Sequence, residues 1–434
     1  MPTDLTLRLT SLIGLGIIIF LAWLLSERKR DASLRLIGWA VGLQFLFGVI
    51  VLRTGFGREF FEYVKVGFTV VTDASKAGAQ FVFGNLTEFF LIDRVYQPGA
   101  GGLEPVDNFA VSAVFAFQVL PLIIFVTAAS AVLQHLGIVQ IVVRGIAWCM
   151  RRTLRTSGAE TFGVSLMIFL GIESVSAIGG YLKGMTRSEI FTLMTTYLST
   201  IAASVMVAYA SFGAEPGHLL AASIMSAPAA ILMAKLMVPE TEKPLTANGA
   251  QIQVKVDSHN VFDAASSGAS LGVQVALNVG AALIVFVGFI YLLDLITTAV
   301  TGGHTLTQIL GYAFRPFAFI MGVPWADIPQ VSELLATKSV FNEFLAYESM
   351  QRVIAPDVLP DGAVAADYIS ERGKTIATYA LCGFANPGSV GIMIGAMDSM
   401  VPERRAEVAQ LSGKAFIAGT LAAFATACVA GVLT

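Results

Sequence analysis

Charge is scarce in this sequence. Of its 434 residues only 13% are Asp, Glu, Lys or Arg, and 56% are hydrophobic, whereas soluble domains carry roughly 25% charge. A water-soluble surface cannot be assembled from that stock, and the mean hydropathy of +0.75 agrees. Cysteine is nearly absent: Cys149, Cys382 and Cys428 are scattered through apolar segments, which excludes a disulfide framework and a thiolate metal site. The four histidines, His135, His218, His259 and His304, stand apart from one another and from any serine or cysteine motif. Neither a metal centre nor a nucleophilic triad is spelled out, and no enzyme is expected. No complete Gly-x-x-x-x-Gly-Lys-Ser/Thr loop occurs, so an ATP-driven pump has no engine within this chain. The formal net charge of −3 includes no basic footprint for nucleic acid and no acidic tail.

What is present is apolar length. Runs of about 20 residues, enough to cross a bilayer core, recur from one end of the chain to the other, so one membrane domain with no soluble appendage is expected. The first two spans cover residues 9–25 and 34–52. Ser26-Glu27-Arg28-Lys29-Arg30 and a second span follow the first run, not a small-residue cleavage site, and the run is expected to be retained as a helix. Arg28, Lys29, Arg30 and Arg35 concentrate in that short loop; the positive-inside rule then puts the loop in the cytoplasm and the N-terminus outside. Over 58–76, Arg58, Glu62, Lys65, Asp73 and Lys76 recur at helical spacing while Phe60, Phe61, Val64, Phe68 and Val71 take the other side. That is the pattern of an amphipathic helix lying in the membrane interface. The stretch 96–102 predicts a loop, 108–136 a strong span, and 139–154 a second amphipathic piece, with Arg144, Arg151, Arg152 and Arg155 as its basic residues.

Two later segments do not look like ordinary spans. Residues 162–185 are apolar but broken at Gly171, Gly179, Gly180 and Gly184, with Glu173 near the middle; residues 324–350 are short, punctuated by Pro324 and Pro329, and carry Asn342-Glu343. Both predict re-entrant helical hairpins. Each precedes an interrupted span: 190–212 with Ser199-Thr200-Ile201-Ala202-Ala203-Ser204, and 375–400 split by Gly383-Phe384-Ala385-Asn386-Pro387-Gly388-Ser389. A plain span closes each set, at 219–238 and 415–433. Hairpin, broken helix, helix, occurring twice, is the signature of transporter repeats with a site at mid-membrane. Between the sets lie a polar loop at 239–260, expected to be a solvated connector, a long span at 268–295 and a shorter one at 309–323. The fold class is thus an all-α polytopic membrane protein: about eight transmembrane helices, two re-entrant hairpins, an interfacial amphipathic helix and two hairpin and broken-helix repeats.

Irregular backbone at membrane depth survives only where it is buried in protein or lines a wet cavity. Freed carbonyls there can hold a cation, and half-helix N-termini offer donors to a polar ligand. Glu343 is the first candidate, because a carboxylate within an apolar segment costs about 2.5 to 3.5 kcal/mol on insertion scales and marks a functional site by default; the competing structural role is an ion pair with Lys338. Glu173 carries the same argument, against a role as a capping carboxylate. Asn386 stands where a helix must open, so its amide serves either a ligand or freed backbone groups. Ser389 and Thr200 gain weight from position alone. Phe384 suits packing or stacking, and Gln274 and Asn278, one turn apart on the long span, suit ligand contact or interhelical bonding.

At these residues the chain resembles the concentrative nucleoside transporter family along nearly its whole length. The most specific stretches are Asn342-Glu343-Phe344-Leu345-Ala346-Tyr347 and Ala380-Leu381-Cys382-Gly383-Phe384-Ala385-Asn386. Ser226-Ala227-Pro228, Pro239-Glu240-Thr241-Glu242-Lys243-Pro244, Ala276-Leu277-Asn278-Val279-Gly280 and Gly322-Val323-Pro324-Trp325 support them. The resemblance implies cation-coupled nucleoside import, a homotrimer in the lipid bilayer of the plasma (bacterial inner) membrane, and an elevator-like displacement. Residues 1–155 would form an N-terminal scaffold with interfacial helices, and 156–240 the first hairpin, broken helix and helix of the moving unit. Residues 241–323 would be loop and connecting spans, and 324–434 the second hairpin set. By matching positions, Glu343, Asn386 and Ser389 would hold the ribose, Phe384 and Val205 would line the cavity, and the first hairpin would read the base; Glu173 and Asn342 are counted with them as substrate-binding residues.

The first hairpin departs from the family's Gly-Gln-Thr-Glu-Ala-Pro: here Gly171-Ile172-Glu173-Ser174-Val175-Ser176 stands one residue short, which deletes the Gln-Thr pair and implies broader base tolerance. The family's sodium site would use Thr200 with carbonyls near Leu170 and Ile201, but its asparagine position is Met167, whose thioether is a poor ligand for a hard cation. A proton needs only a buried carboxylate, so of H+ and Na+ the proton is favoured; no other cofactor is expected. Two rival readings stay open: transport of another polar solute, and a sensor that binds nucleosides without moving them.

Overall fold

In a computed structural model, residues 4–87, 90–99, 102–111, 115–246, 258–354 and 368–434 are described. The chain is an integral membrane protein built almost wholly of helices. The first two, α1 (Asp4–Leu24) and α2 (Leu34–Arg53), flank the basic loop. The amphipathic segment is one helix, α3 (Gly55–Phe83), whose Phe68 and Val71 pack on an apolar cluster while Glu59, Glu62 and Lys65 face outward. Where a loop was expected, a two-stranded antiparallel ribbon occurs: β1 (Phe90–Gly99) pairs with β2 (Gly102–Val111), closing at Gly99 opposite Gly102. The following helix α4 (Phe115–His135) therefore starts later than the apolar pattern suggested, and α5 (Ile138–Leu154) follows it.

Both hairpins form, and length explains why they turn back. The first comprises α6 (Gly158–Leu170), a tight turn at Gly171–Glu173 and α7 (Ser174–Leu182). With 13 residues and a rise of about 1.5 Å each, α6 falls well short of a hydrocarbon core of about 30 Å. The second comprises α13 (Ile328–Val340) and α14 (Glu343–Val353), separated by Phe341 and Asn342. The first hairpin starts and returns on one side: Ser157, which caps α6, donates its hydroxyl to Glu189 in the first turn of α8 (Arg187–Ser199). Capping boxes at Ser157/Glu160 and Thr186/Glu189 secure both helix starts.

The two interrupted spans are α8 with α9 (Ala203–Ser211), broken at an extended Thr200, and α15 (Glu371–Leu381) with α16 (Pro387–Met400). Closing helices α10 (Pro216–Met237) and α17 (Arg405–Leu433) pack on each other and on α8, with Ser226 and Thr426 hydroxyls 3.5 Å apart. Between the repeats run α11 (Val261–Thr301), 41 residues long, and α12 (Leu306–Ile320). By length and composition seven stretches among the described residues can cross a membrane: α1, α2, α4, the α8–α9 pair, α10, α11 and α17. The α15–α16 pair is too interrupted to qualify. Packing divides the bundle: α1 and α2 lie on α10 and α17, whereas α11 lies along α4.

The polar loop is not merely a solvated connector. Its first residues close a buried charge cluster in which Lys235 Nζ lies 2.7 Å from Glu160 and 3.2 Å from Glu240. Glu240 also accepts the Thr186 hydroxyl at 2.9 Å, and Thr246 donates to Ser157 at 3.1 Å. Residues 247–257, the rest of that connector before its last residues, lie outside the described residues.

Candidate functional site

The two helix breaks cross in contact. Gly383 adopts φ +134°, and a Cβ there would fall 2.9 Å from the Ser199 carbonyl carbon and 3.0 Å from the Leu198 oxygen. Only glycine lets the second break lie this close to the end of α8. Beside the crossing is a cavity of about 380 Å³ bounded by the second hairpin, both breaks, Ile172 of the first hairpin and α11. That volume is within the range of small-ligand pockets.

Glu343 opens α14, where the helix N-terminus favours a carboxylate. It is buried, and both oxygens are held: Oε1 accepts the Tyr209 hydroxyl at 2.8 Å and Oε2 accepts Asn386 Nδ2 at 2.6 Å. Asn386 serves both roles left open by the sequence. Its Oδ1 caps α16 by accepting the Ser389 amide at 2.8 Å, and its Nδ2 reaches Glu343 and the Ser389 hydroxyl, the latter at 3.0 Å. Asn342 caps α14 through the Leu345 amide, 2.9 Å away. Lys338 is not the partner of Glu343: its buried ammonium donates to the Ala380 carbonyl at 2.8 Å, and no ion pair joins the two among the described residues.

Aromatic rings wall the cavity. Tyr209 stacks on Tyr347 with centroids 4.5 Å apart and meets Phe344 edge-on at 5.5 Å; Tyr197 and Phe384 lie 5.4 Å apart. Tyr209 and Tyr197 were not picked out from the sequence. Tyr209 had a usable signal, since it follows Val205 by one helical turn and so shares its face. Val205, Phe384, Ser389, Asn342, Glu343 and Asn386 all line this one cavity. Glu173 enters the hairpin turn by its backbone, and its side chain lies outside the described residues.

A second polar focus lies where the first hairpin meets the α8–α9 break. The Thr200 hydroxyl donates to the Thr196 carbonyl at 2.8 Å and approaches the Met167 carbonyl at 3.5 Å. The Ser223 hydroxyl of α10 sits 3.3 Å from the Ile168 carbonyl and 3.4 Å from that of Ile201. Leu170 ends α6, three residues beyond Met167, and none of these contacts draws its carbonyl in. Oxygens of two hydroxyls and of the Met167, Ile168 and Ile201 carbonyls suit a hard monovalent cation; the buried Met167 thioether does not.

Comparison with known proteins agrees with this geometry. Residues 13–86 and 218–431 match the N- and C-terminal models described as Na+ dependent nucleoside transporter, and 116–216 match one described as nucleoside recognition. Solute carrier family 28 member 3 of Rattus norvegicus is 38% identical over 442 residues, covering 98% of this chain and 59% of its own length. The chain thus spans about three fifths of those mammalian relatives. The uncharacterized transporter YutK of Bacillus subtilis (strain 168) is 38% identical over 98% of this chain and 99% of its own. Among solved structures, CNTnw in an inward-facing substrate-bound state superposes with TM-score 0.86 at 35% identity, covering 98% of each chain. An outward-facing CNTnw variant gives 0.87 at 35% identity, over 98% of this chain and 97% of the other. With a full-length relative, a full-length structural match and the Asn342-Glu343 hairpin in place, this chain belongs to the concentrative nucleoside transporter family, which is not a family of enzymes.

Proposed function

We propose that the chain imports nucleosides by cation symport across the bacterial inner membrane, as a homotrimer with its N-terminus outside. The observation that carries this reading is the Glu343 carboxylate, held by Tyr209 and Asn386 at the edge of a cavity with aromatic walls. A carboxylate and an amide in that arrangement accept from and donate to a vicinal diol, while Phe384 and Val205 offer an apolar surface to a ring. Ribose would be held by Glu343, Asn386, Ser389 and Asn342. The base would lie toward Ile172 and the first hairpin with Glu173. Movement would be elevator-like, with the hairpin sets travelling against a scaffold. Packing supports placing α4 and α11 in the scaffold and α1 and α2 with the moving unit, since the latter lie on α10 and α17, while α3 touches both groups.

The coupling ion in this reading is the proton, because Met167 removes a side-chain oxygen from the cation focus while buried carboxylates remain. One observation favours sodium as a second reading: the Ser223 hydroxyl, placed against the Ile168 and Ile201 carbonyls, supplies an oxygen besides that of Thr200. Radiolabelled uridine uptake into proteoliposomes under imposed pH or sodium gradients tests both. Uptake driven by pH alone supports the proton, uptake driven by sodium at fixed pH supports the second reading, and no nucleoside uptake under either rejects the function itself.

A further inference from the structure

The cavity has a wall that neither hairpin set supplies. Helix α11 presents a stripe at spacings of three and four residues between 271 and 286, apolar except for Gln274 and Asn278. Its rotation is set by the opposite face. A Cβ at Gly268 would lie 2.7 Å from that of Ala131, and one at Gly272 2.7 Å from the Ile124 Cα, so α11 seats on α4 backbone to backbone and turns both amides toward the cavity.

Neither amide makes a hydrogen bond with another described residue. Interhelical bonding to α4 is thus not their task; Thr127, the polar residue beneath Gly272, spends its hydroxyl on its own Ile123 carbonyl at 2.7 Å. Ile172, the first-hairpin residue that lines the cavity, has no donor or acceptor in its side chain. Apart from Tyr197, Ser204 and the polar groups gathered around Glu343, the polar side chains that line the cavity belong to α11. An amide carries both a donor and an acceptor, which is the chemistry that distinguishes an amino edge from a carbonyl edge on a flat heterocycle.

We infer that Gln274 and Asn278 are specificity residues that read the hydrogen-bonding edge of the nucleobase from the α4–α11 side of the cavity. The inference rests on the nucleoside reading of the site. If the hairpin sets move against α11, the contact exists in only one state of the cycle, so discrimination is imposed on one side of the membrane.

The test is competition against radiolabelled uridine uptake in proteoliposomes by uridine, cytidine, inosine, adenosine and 3′-deoxyuridine. It compares the unsubstituted protein with Gln274→Leu, Asn278→Leu and the double variant. The expected result is a compression of the ratios between bases by about two- to tenfold per lost hydrogen bond, with the 3′-deoxy penalty unchanged. Gln274→Glu and Asn278→Asp keep the shape but remove donors, and are expected to move preference toward cytidine and adenosine, whose amino groups donate. Base ratios unchanged in both series, or an unsubstituted protein that does not discriminate between bases, would overturn the inference while leaving nucleoside transport intact. Absence of uridine uptake by the unsubstituted protein would instead reject the underlying reading.

Discussion

At the residue scale the site turns on how Glu343 is held. Glu343→Gln replaces a charge-assisted acceptor by a neutral amide, and charged hydrogen bonds contribute about 1.5 to 3 kcal/mol. Nucleoside affinity is expected to fall by about tenfold to over a hundredfold, with insertion and oligomeric state preserved; titration calorimetry and size exclusion measure the two separately. Tyr209→Phe is subtler, since it keeps the ring stacked on Tyr347 and removes only the hydroxyl that donates to Glu343. About 1 kcal/mol of positioning, roughly fivefold in affinity, is expected to disappear, and wild-type affinity in this variant would show that Asn386 suffices to orient the carboxylate. Glu343 and Asn386 were legible in the sequence because charge and amides are rare at membrane depth. Tyr209 was legible only as a neighbour of Val205 on one helix face; that its hydroxyl finds a carboxylate was not, because a tyrosine in an apolar helix carries no sign of its partner.

At the scale of elements, the crossing of the two breaks organises the molecule. Gly383 has a backbone conformation that other residues rarely adopt, and its missing Cβ is what admits Leu198 and Ser199. Gly383→Ala combines strain of about 1 to 3 kcal/mol with a backbone clash, so a clear drop in detergent melting temperature is expected. Gly395→Ala is the control, because a Cβ there meets nothing within 4 Å; an equal loss in both variants would remove the crossing as the cause. The hairpins themselves were readable from glycine, proline and shortness. Two other elements were not. The β1–β2 ribbon escaped because backbone pairing between flanking segments leaves no apolar period to detect. The anchoring of the polar loop escaped because its partners, Lys235 and Glu160, lie far from one another in sequence.

At the scale of the whole molecule, the loop between the first two spans is tied to a helix of each repeat. Glu27 lies 3.1 Å from Arg187 at the start of α8 and 2.9 Å from Lys414 on α17. Burial alone would raise its carboxyl, but hydrogen bonds from Lys414 and Arg187 outweigh burial and hold it below the usual carboxylate range. Its contribution to stability is therefore present above the unfolded value of about 4.3 and is lost as the pH falls through the lower folded value. Glu27→Gln is expected to lower the melting temperature slightly near neutral pH and to flatten the acid limb; melting curves at stepped pH measure this, and parallel curves would exclude the tie. The sequence by itself determined the membrane class, the twofold recurrence of hairpin, broken helix and helix, and the residues able to carry chemistry, because apolar length, interruption and rare polar groups are local properties. Tertiary structure alone decided that the two breaks cross at Gly383, that Tyr209 and Asn386 share one carboxylate, and that α1 and α2 lie on α10 and α17. Those outcomes depend on which distant backbones approach within van der Waals contact, a property that no stretch of one strand's sequence encodes.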